Sequence, residues 1–145
     1  MSRTIEFLKT EEEQEVINAI KQAEHNTSGE IRVHIEKHAE KDAFERAKEV
    51  FELLKMHQTE LRNGVLIYVA IEDKTFAICG DKGINAVVPK DFWNSTKDIM
   101  QSHFKKGAFK QGLINGIAKS GEQLKTFFPY QKDDVNELPD DISKS

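Results

Sequence analysis

From Gly64 to Ile71 the chain reads Gly-Val-Leu-Ile-Tyr-Val-Ala-Ile, a run without a charge whose one polar atom outside the backbone is the Tyr68 hydroxyl. A strand of that composition is stable only where both of its faces leave water, so it demands covering structure above and below. Glu72-Asp73-Lys74 interrupts the run, and Thr75 to Gly80 resumes it after a turn too short for anything but an antiparallel hairpin.

The segments around this hairpin supply the cover. Thr10-Glu11-Glu12-Glu13 offers an N-cap hydroxyl and a capping-box glutamate, and Val16, Ile17, Ile20 and Ala23 follow at helical spacing to about Glu24. Glu30 to Glu36 alternates apolar and polar residues, which predicts a strand with one solvated face carrying His34. Phe44, Ala47, Val50, Phe51 and Leu54 form one stripe on a second helix between about Lys41 and His57. A helical crossover makes the strands it joins parallel and right-handed, so the sheet is mixed.

After Pro89, Asp91 opens a third helix with Trp93 near its start and Phe92, Ile99 and Phe104 inside it, and Gly107 separates it from a fourth. There Ala108, Gly112, Gly116 and Ser120 recur every four residues, a stripe of small side chains suited to close packing on a neighbour. The expected fold is therefore α/β, a small mixed β-sheet packed between α-helices in the order α-β-α-β-β-α-α. One domain covers residues 1–129, and the acidic, proline-containing segment 130–145 reads as a disordered tail.

Composition narrows the function. At 145 residues and a net charge of −4, the chain is one domain without an overall field for nucleic acid or an anionic membrane. The single cysteine, Cys79, rules out an internal disulfide framework and reads as a small buried hydrophobe inside an apolar strand. No secretory signal and no segment long enough to span a bilayer is visible, so the expected location is the cytoplasm.

Strand direction decides which loops meet. The third strand runs against the first two, so Ser28-Gly29-Glu30, Asn63-Gly64 and Gly80-Asp81-Lys82-Gly83 converge on one edge of the sheet. Glu30, Asn63 and Asp81 there would suit a hard cation such as calcium, which takes six to eight oxygen ligands. The plain alternative is that Gly80 and Gly83 only supply positive backbone angles on the way into the third helix. Lys82 in a Gly-x-x-Gly loop can also steady a phosphate, although the spacing is not that of a P-loop. The opposite edge, where the parallel strands end, gathers Glu36, Lys37, His38, Glu72 and Asp73. No His-Glu-x-x-His zinc helix and no Gly-x-Ser-x-Gly serine setting occurs. Lys105, Lys106 and Lys110 with Phe104 and Phe109 read as solvated lysines beside core aromatics rather than a nucleic-acid surface.

Taken together, Thr27-Ser28-Gly29-Glu30-Ile31, Asn63-Gly64-Val65-Leu66-Ile67-Tyr68-Val69, Gly80-Asp81-Lys82-Gly83-Ile84 and Phe104-Lys105-Lys106-Gly107-Ala108-Phe109 through Gly112-Leu113 resemble the TPM domain family, over about Thr10 to Phe127. The resemblance implies a small sheet between helices and several possible roles: acid phosphatases, calcium-binding domains, and accessory domains of membrane-associated assemblies. It places Asn63 and Asp81 in the family's strand-start and glycine-loop motifs. Arg62 stands where members often carry an acidic residue, and the family's frequent signal peptide, transmembrane helix and glycine-rich tail are missing. Two expectations follow. The first is a binding or accessory module for a protein assembly, with calcium as its candidate cation and a protein, such as a membrane-anchored relative, as its partner. The alternative is a divalent-metal-dependent acid phosphatase in which Asp81 is ligand or general base and Lys82 steadies the phosphate.

Overall fold

A computed structural model describes residues 8–130 and 142–144. The elements are α1 (Thr10–Glu24), β1 (Glu30–Glu36), α2 (Ala43–Leu53), β2 (Gly64–Ala70), β3 (Thr75–Gly80), α3 (Lys82–Asn85), α4 (Asn94–Lys105), α5 (Phe109–Leu124) and β4 (Ile142–Lys144). The strands form one mixed sheet in the order β3-β2-β1-β4. β1 and β2 are parallel, with Glu30 opposite Gly64 and Glu36 opposite Ala70, and β3 returns antiparallel with Val65 opposite Gly80.

β2 is buried at every position, as its composition requires. Val65, Ile67 and Val69 join Ile31, Val33, Ile35 and Ile78 in a core completed by residues of α1, α4 and α5, including Val16, Ile20, Met100, Leu113 and Ile117. Leu66, Tyr68 and Ala70 face the other way with Ala77 and Cys79, against Ala47, Val50 and Phe51 of α2. At about 1.5–3 kcal/mol for each large side chain fully removed from water, these two layers supply the main stabilisation of the sheet. Burial pushes the Cys79 thiol up to about 11, so it is protonated and inert at neutral pH.

The small-residue stripe brings α5 close to its neighbours. A Cβ on Gly112 would lie 2.5 Å from the Phe104 ring, and one on Gly116 2.5 Å from Met100 Sδ, both on α4. Gly121 meets α1 in the same way, with Ala23 Cβ at 2.8 Å.

Several boundaries differ from the sequence-based expectation, each for a local reason. Thr10 is already helical; Lys9 stands at the N-cap of α1, and its backbone N–H donates to Glu12 Oε1 at 2.9 Å. Asp42 caps α2, its side chain accepting from the Phe44 and Glu45 amides, which starts the helix later than Lys41. Asp81 caps the short α3, which the pattern of apolar residues is too brief to reveal. In the expected tail, Ile142 to Lys144 pairs parallel with β1, with Val33 opposite Ile142. The expectation of disorder over residues 131–141 lies outside the described residues.

The largest correction concerns β1. His34 does not face solvent: it is 4% exposed, and Glu36 beside it is equally buried. The His34 ring stacks on Tyr68 at 6.0 Å, its Nδ1 lies 2.9 Å from Ser143 Oγ of β4, and its Nε2 lies 3.4 Å from Glu36 Oε1. Burial lowers the His34 pKa against the opposing pull of Glu36. Glu36 itself accepts two hydrogen bonds from Arg46, at 2.8 Å and 3.1 Å, and a third from the Tyr68 hydroxyl. Of the polar residues that alternate along β1, His34 and Glu36 build a buried network instead of meeting water.

Burial alone would raise the Glu36 pKa, but the hydrogen bonds from Arg46 and Tyr68 outweigh it and hold the carboxyl near 2 against an ordinary 4.5. A carboxyl depressed by folding contributes stability that is complete above its unfolded pKa and is lost as pH falls through the folded one. Chemical unfolding should therefore show stability falling between pH 4.5 and about 2, with a shallower fall in Glu36→Gln. Arg46→Ala strands the buried carboxylate and should cost about 3 kcal/mol at pH 7, with Glu36→Gln in the same chain recovering part of the loss.

Candidate functional site

The start of β1, the start of β2 and the end of β3 meet at one edge, as the mixed topology requires. Backbone hydrogen bonds stitch the three loops together: Glu30 N–H donates to Asn63 O at 3.2 Å, Asp81 N–H to Gly64 O at 2.9 Å, and Gly83 N–H to Arg62 O at 2.9 Å. Asn63 is 2% exposed; its side-chain amide donates to Ser28 O at 3.2 Å, and its backbone N–H to Thr59 Oγ1 at 3.3 Å. Thus Ser28, Glu30, Asn63 and Asp81 are neighbours.

The two glycines of the loop are not there for positive backbone angles. Among the described glycines only Gly107 has one, at φ 76°. Gly83 is required by space: a Cβ would lie 2.2 Å from Leu61 O and 2.5 Å from Arg62 O, both backbone atoms that cannot swing aside. The left-handed residue of this edge is Arg62 itself, at φ 51°, a conformation that costs a non-glycine residue about 1–3 kcal/mol. Its carbonyl is held by Gly83, and its side chain by Asp81.

That side-chain contact decides the chemistry of the edge. Arg62 Nε donates to Asp81 Oδ2 at 2.9 Å and Nη2 to Oδ1 at 3.0 Å, the two-pronged geometry that matches guanidinium to carboxylate. Lys82 N–H donates to the same Oδ1 at 2.7 Å. Asp81 is 5% exposed, and both oxygens are engaged. In this arrangement the Asp81 carboxylate, the strongest oxygen donor of the three residues Asp81, Asn63 and Glu30, already holds a cationic partner, and the Asn63 side-chain N–H donates to a backbone carbonyl. Among the described residues no group of three or more His, Cys, Asp or Glu side chains is placed to hold a metal. Lys82 is exposed at the start of a four-residue helix too short to add a useful dipole.

The opposite edge combines main-chain hydrogen bonds, Ile71 N–H to Glu36 O and Glu72 N–H to Lys37 O at 2.9 Å each, with side-chain ion pairs. His38 places Nδ1 2.7 Å from Asp73 Oδ1 and Nε2 3.3 Å from Glu72 Oε1, while Ala39 N–H donates to Asp73 Oδ2 at 2.8 Å. A hydrogen bond to Asp73 raises the His38 pKa, and the same contact lowers that of Asp73. These bonds tie the β2–β3 turn to the end of β1. Lys105 and Lys106 are exposed, but Phe104 and Phe109 are only half-buried, with the Phe76 ring edge-on to Phe104 at 5.2 Å.

Two features of this chemistry escaped the sequence. The Arg62–Asp81 pair had a signal in the charge at Arg62, but positions nineteen residues apart can be joined only once strand pairing is known. The Glu36–Arg46–Tyr68 network had a weaker one, a tyrosine within an otherwise apolar strand.

Comparison with known proteins places this geometry in a family. The TPM domain family model matches residues 2–123. No curated protein matches. Among solved structures, the BA42 protein from the psychrophilic bacterium Bizionia argentinensis is similar, at 60% identity and a TM-score of 0.91 over 96% of each chain. The N-terminal domain of a protein from P. gingivalis shares the fold at 16% identity, with a TM-score of 0.68 over 86% of this chain and 82% of that one. So does the N-terminal domain of the cg2496 protein from Corynebacterium glutamicum, at 8% identity and a TM-score of 0.64 over 95% and 81%. With a mixed sheet between helices, the glycine loop at its edge and a family match over most of its length, the chain belongs to the TPM domain family.

Proposed function

We propose that this TPM domain is a binding module that serves a protein assembly, and that its loop edge recognises a partner rather than turning over a substrate. The observation that supports this most is the closure of Asp81 by the Arg62 guanidinium. A metal-dependent phosphatase needs a carboxylate free to hold the metal or take a proton, and it usually gathers several around the ion. Here Asp81 is committed to Arg62 and to the Lys82 amide. The result is a stiff edge, pinned by backbone hydrogen bonds, that presents a partly exposed guanidinium on a fixed loop. Such a surface suits a protein partner with a carboxylate to offer; a membrane-anchored relative is the candidate. Among the described residues no helix is long and apolar enough to cross a membrane.

On this reading calcium enters the Glu30/Asn63/Asp81 edge only by displacing Arg62. Titration with calcium, followed by amide chemical shifts, should show Arg62→Gln binding at least about tenfold more tightly than the wild type. The shifts should cluster at Ser28–Glu30, Asn63–Gly64 and Gly80–Gly83. Equal affinities, or no saturable shifts in either protein, would remove the cation from this edge.

The same edge tests the choice between module and enzyme. Hydrolysis of p-nitrophenyl phosphate, with calcium, magnesium or manganese added, should be the same for the wild type and Asp81→Asn. Metal-dependent turnover that Asp81→Asn abolishes while remaining folded would establish the phosphatase instead. Gly83→Ala, which drives a Cβ into two carbonyls, should cost about 2–3 kcal/mol, read as a lower urea midpoint with an unchanged slope.

A further inference from the structure

Between the β2–β3 hairpin and the α4–α5 connection lies a cleft of about 520 Å³, within the size range of small-molecule sites. Its walls are apolar: Ile71, Phe76, Phe104 and Phe109 contribute to them, and all four are half-buried rather than sealed in the core. The Phe76 and Phe104 rings meet edge to face at 5.2 Å, and the Phe104 and Phe109 centroids lie 5.8 Å apart. Aromatic walls set at such angles accept a flat apolar body.

The charged groups of the cleft have one sign. Lys74 reaches it from the hairpin turn and Lys105 from the last turn of α4, while no Asp or Glu lines it. Neither lysine forms an ion pair with a described residue. The 16-residue α5 begins at Phe109 in the wall of the cleft, and Ala108 at its N-cap brings no side-chain acceptor to its first amides. The positive end of that helix adds to the two ammonium groups. The cleft also lies beyond the carboxyl end of β2, at the side of the sheet where open α/β folds hold small ligands.

We propose that this cleft binds a small amphipathic carboxylate, its flat apolar body among Phe76, Phe104 and Phe109 and its carboxylate between Lys74 and Lys105. The site is independent of the loop edge, which lies at the other end of the strands. It makes the domain a receptor for a small organic acid, whatever that edge binds.

The test uses 2-naphthoate and its neutral amide, 2-naphthamide, as probes of the full chain by amide chemical shifts. Naphthoate should give saturable shifts at Ile71, Thr75, Phe76, Gln101 and Gly107, and naphthamide should bind about tenfold more weakly. Lys74→Asn with Lys105→Gln changes two exposed side chains, and asparagine tolerates the positive φ of 57° at position 74. The double variant should keep the wild-type melting temperature and lose about tenfold in naphthoate affinity. Equal binding of acid and amide, or unchanged affinity in the double variant, would overturn the assignment. So would the absence of saturable shifts in the cleft. If the same amides instead shift on dilution without any probe, the cleft is a contact between copies of the chain and the proposal fails.

Discussion

Everything in this fold hangs on a strand that cannot tolerate water on either side. β2 is buried at every position, so a helix is needed on each face, and its neighbours must pair along its whole length. α2 covers one face and α1, α4 and α5 the other. Because α2 connects β1 to β2, the two strands must be parallel; because only a four-residue turn connects β2 to β3, those two must be antiparallel. That combination carries the ends of β1 and β2 to one side of the sheet and the end of β3 to the other. Both candidate surfaces of the protein are consequences of it.

The polar groups within the layers follow a second constraint. A charge taken out of water must be matched, and Glu36 is matched by Arg46 and Tyr68, just as Asp81 is matched by Arg62 and the Lys82 amide. In both cases a buried carboxylate accepts a forked guanidinium that remains partly exposed, 24% for Arg46 and 35% for Arg62. The repetition of the device at opposite ends of the strands suggests an electrostatic pin for each end of the sheet. It also explains why Asp81, which looks like a ligand by its position in a glycine-flanked loop, behaves here as a structural acceptor.

Periodicity made the main elements readable, since a helix or strand of ten or so residues repeats its burial pattern several times. The strands β1, β2 and β3, the crossover helix and the two long helices after Pro89 were legible in this way, and with them the convergence of Glu30, Asn63 and Asp81. What was not legible depends on partners distant in the chain. The alternation in β1 looked the same whether His34 met water or a buried network; only the pairing with Ser143 and Tyr68 decides between them. β4 is three residues long, too short for any period, and owes its existence to the open edge of β1. The role of Gly83 was misread because sequence shows that a side chain is missing but not what would occupy its place.

Main-chain hydrogen bonds fix both ends of the sheet, and the ends differ in the side chains added to them. At the glycine-loop end, main-chain hydrogen bonds between Glu30 and Asn63, Asp81 and Gly64, and Gly83 and Arg62 fix the backbone itself, so a bound partner meets a preformed surface with little ordering left to do. At the other end, Ile71 N–H donates to Glu36 O and Glu72 N–H to Lys37 O, both at 2.9 Å, the His38 contacts to Asp73 and Glu72 hold the turn further on an exposed surface, and beside it the aromatic cleft lies open. Both ring nitrogens of His38 face carboxylates, an arrangement that only the imidazolium form satisfies with two donors. The turn that carries Lys74 is thus secured to β1 by main-chain bonds and by a His38 contact whose strength changes with protonation, whereas at the loop edge the Arg62–Asp81 pair adds to the main-chain bonds. On the proposed reading, the loop edge and the aromatic cleft, at opposite ends of one buried strand, would let a single domain join a protein partner to a small ligand.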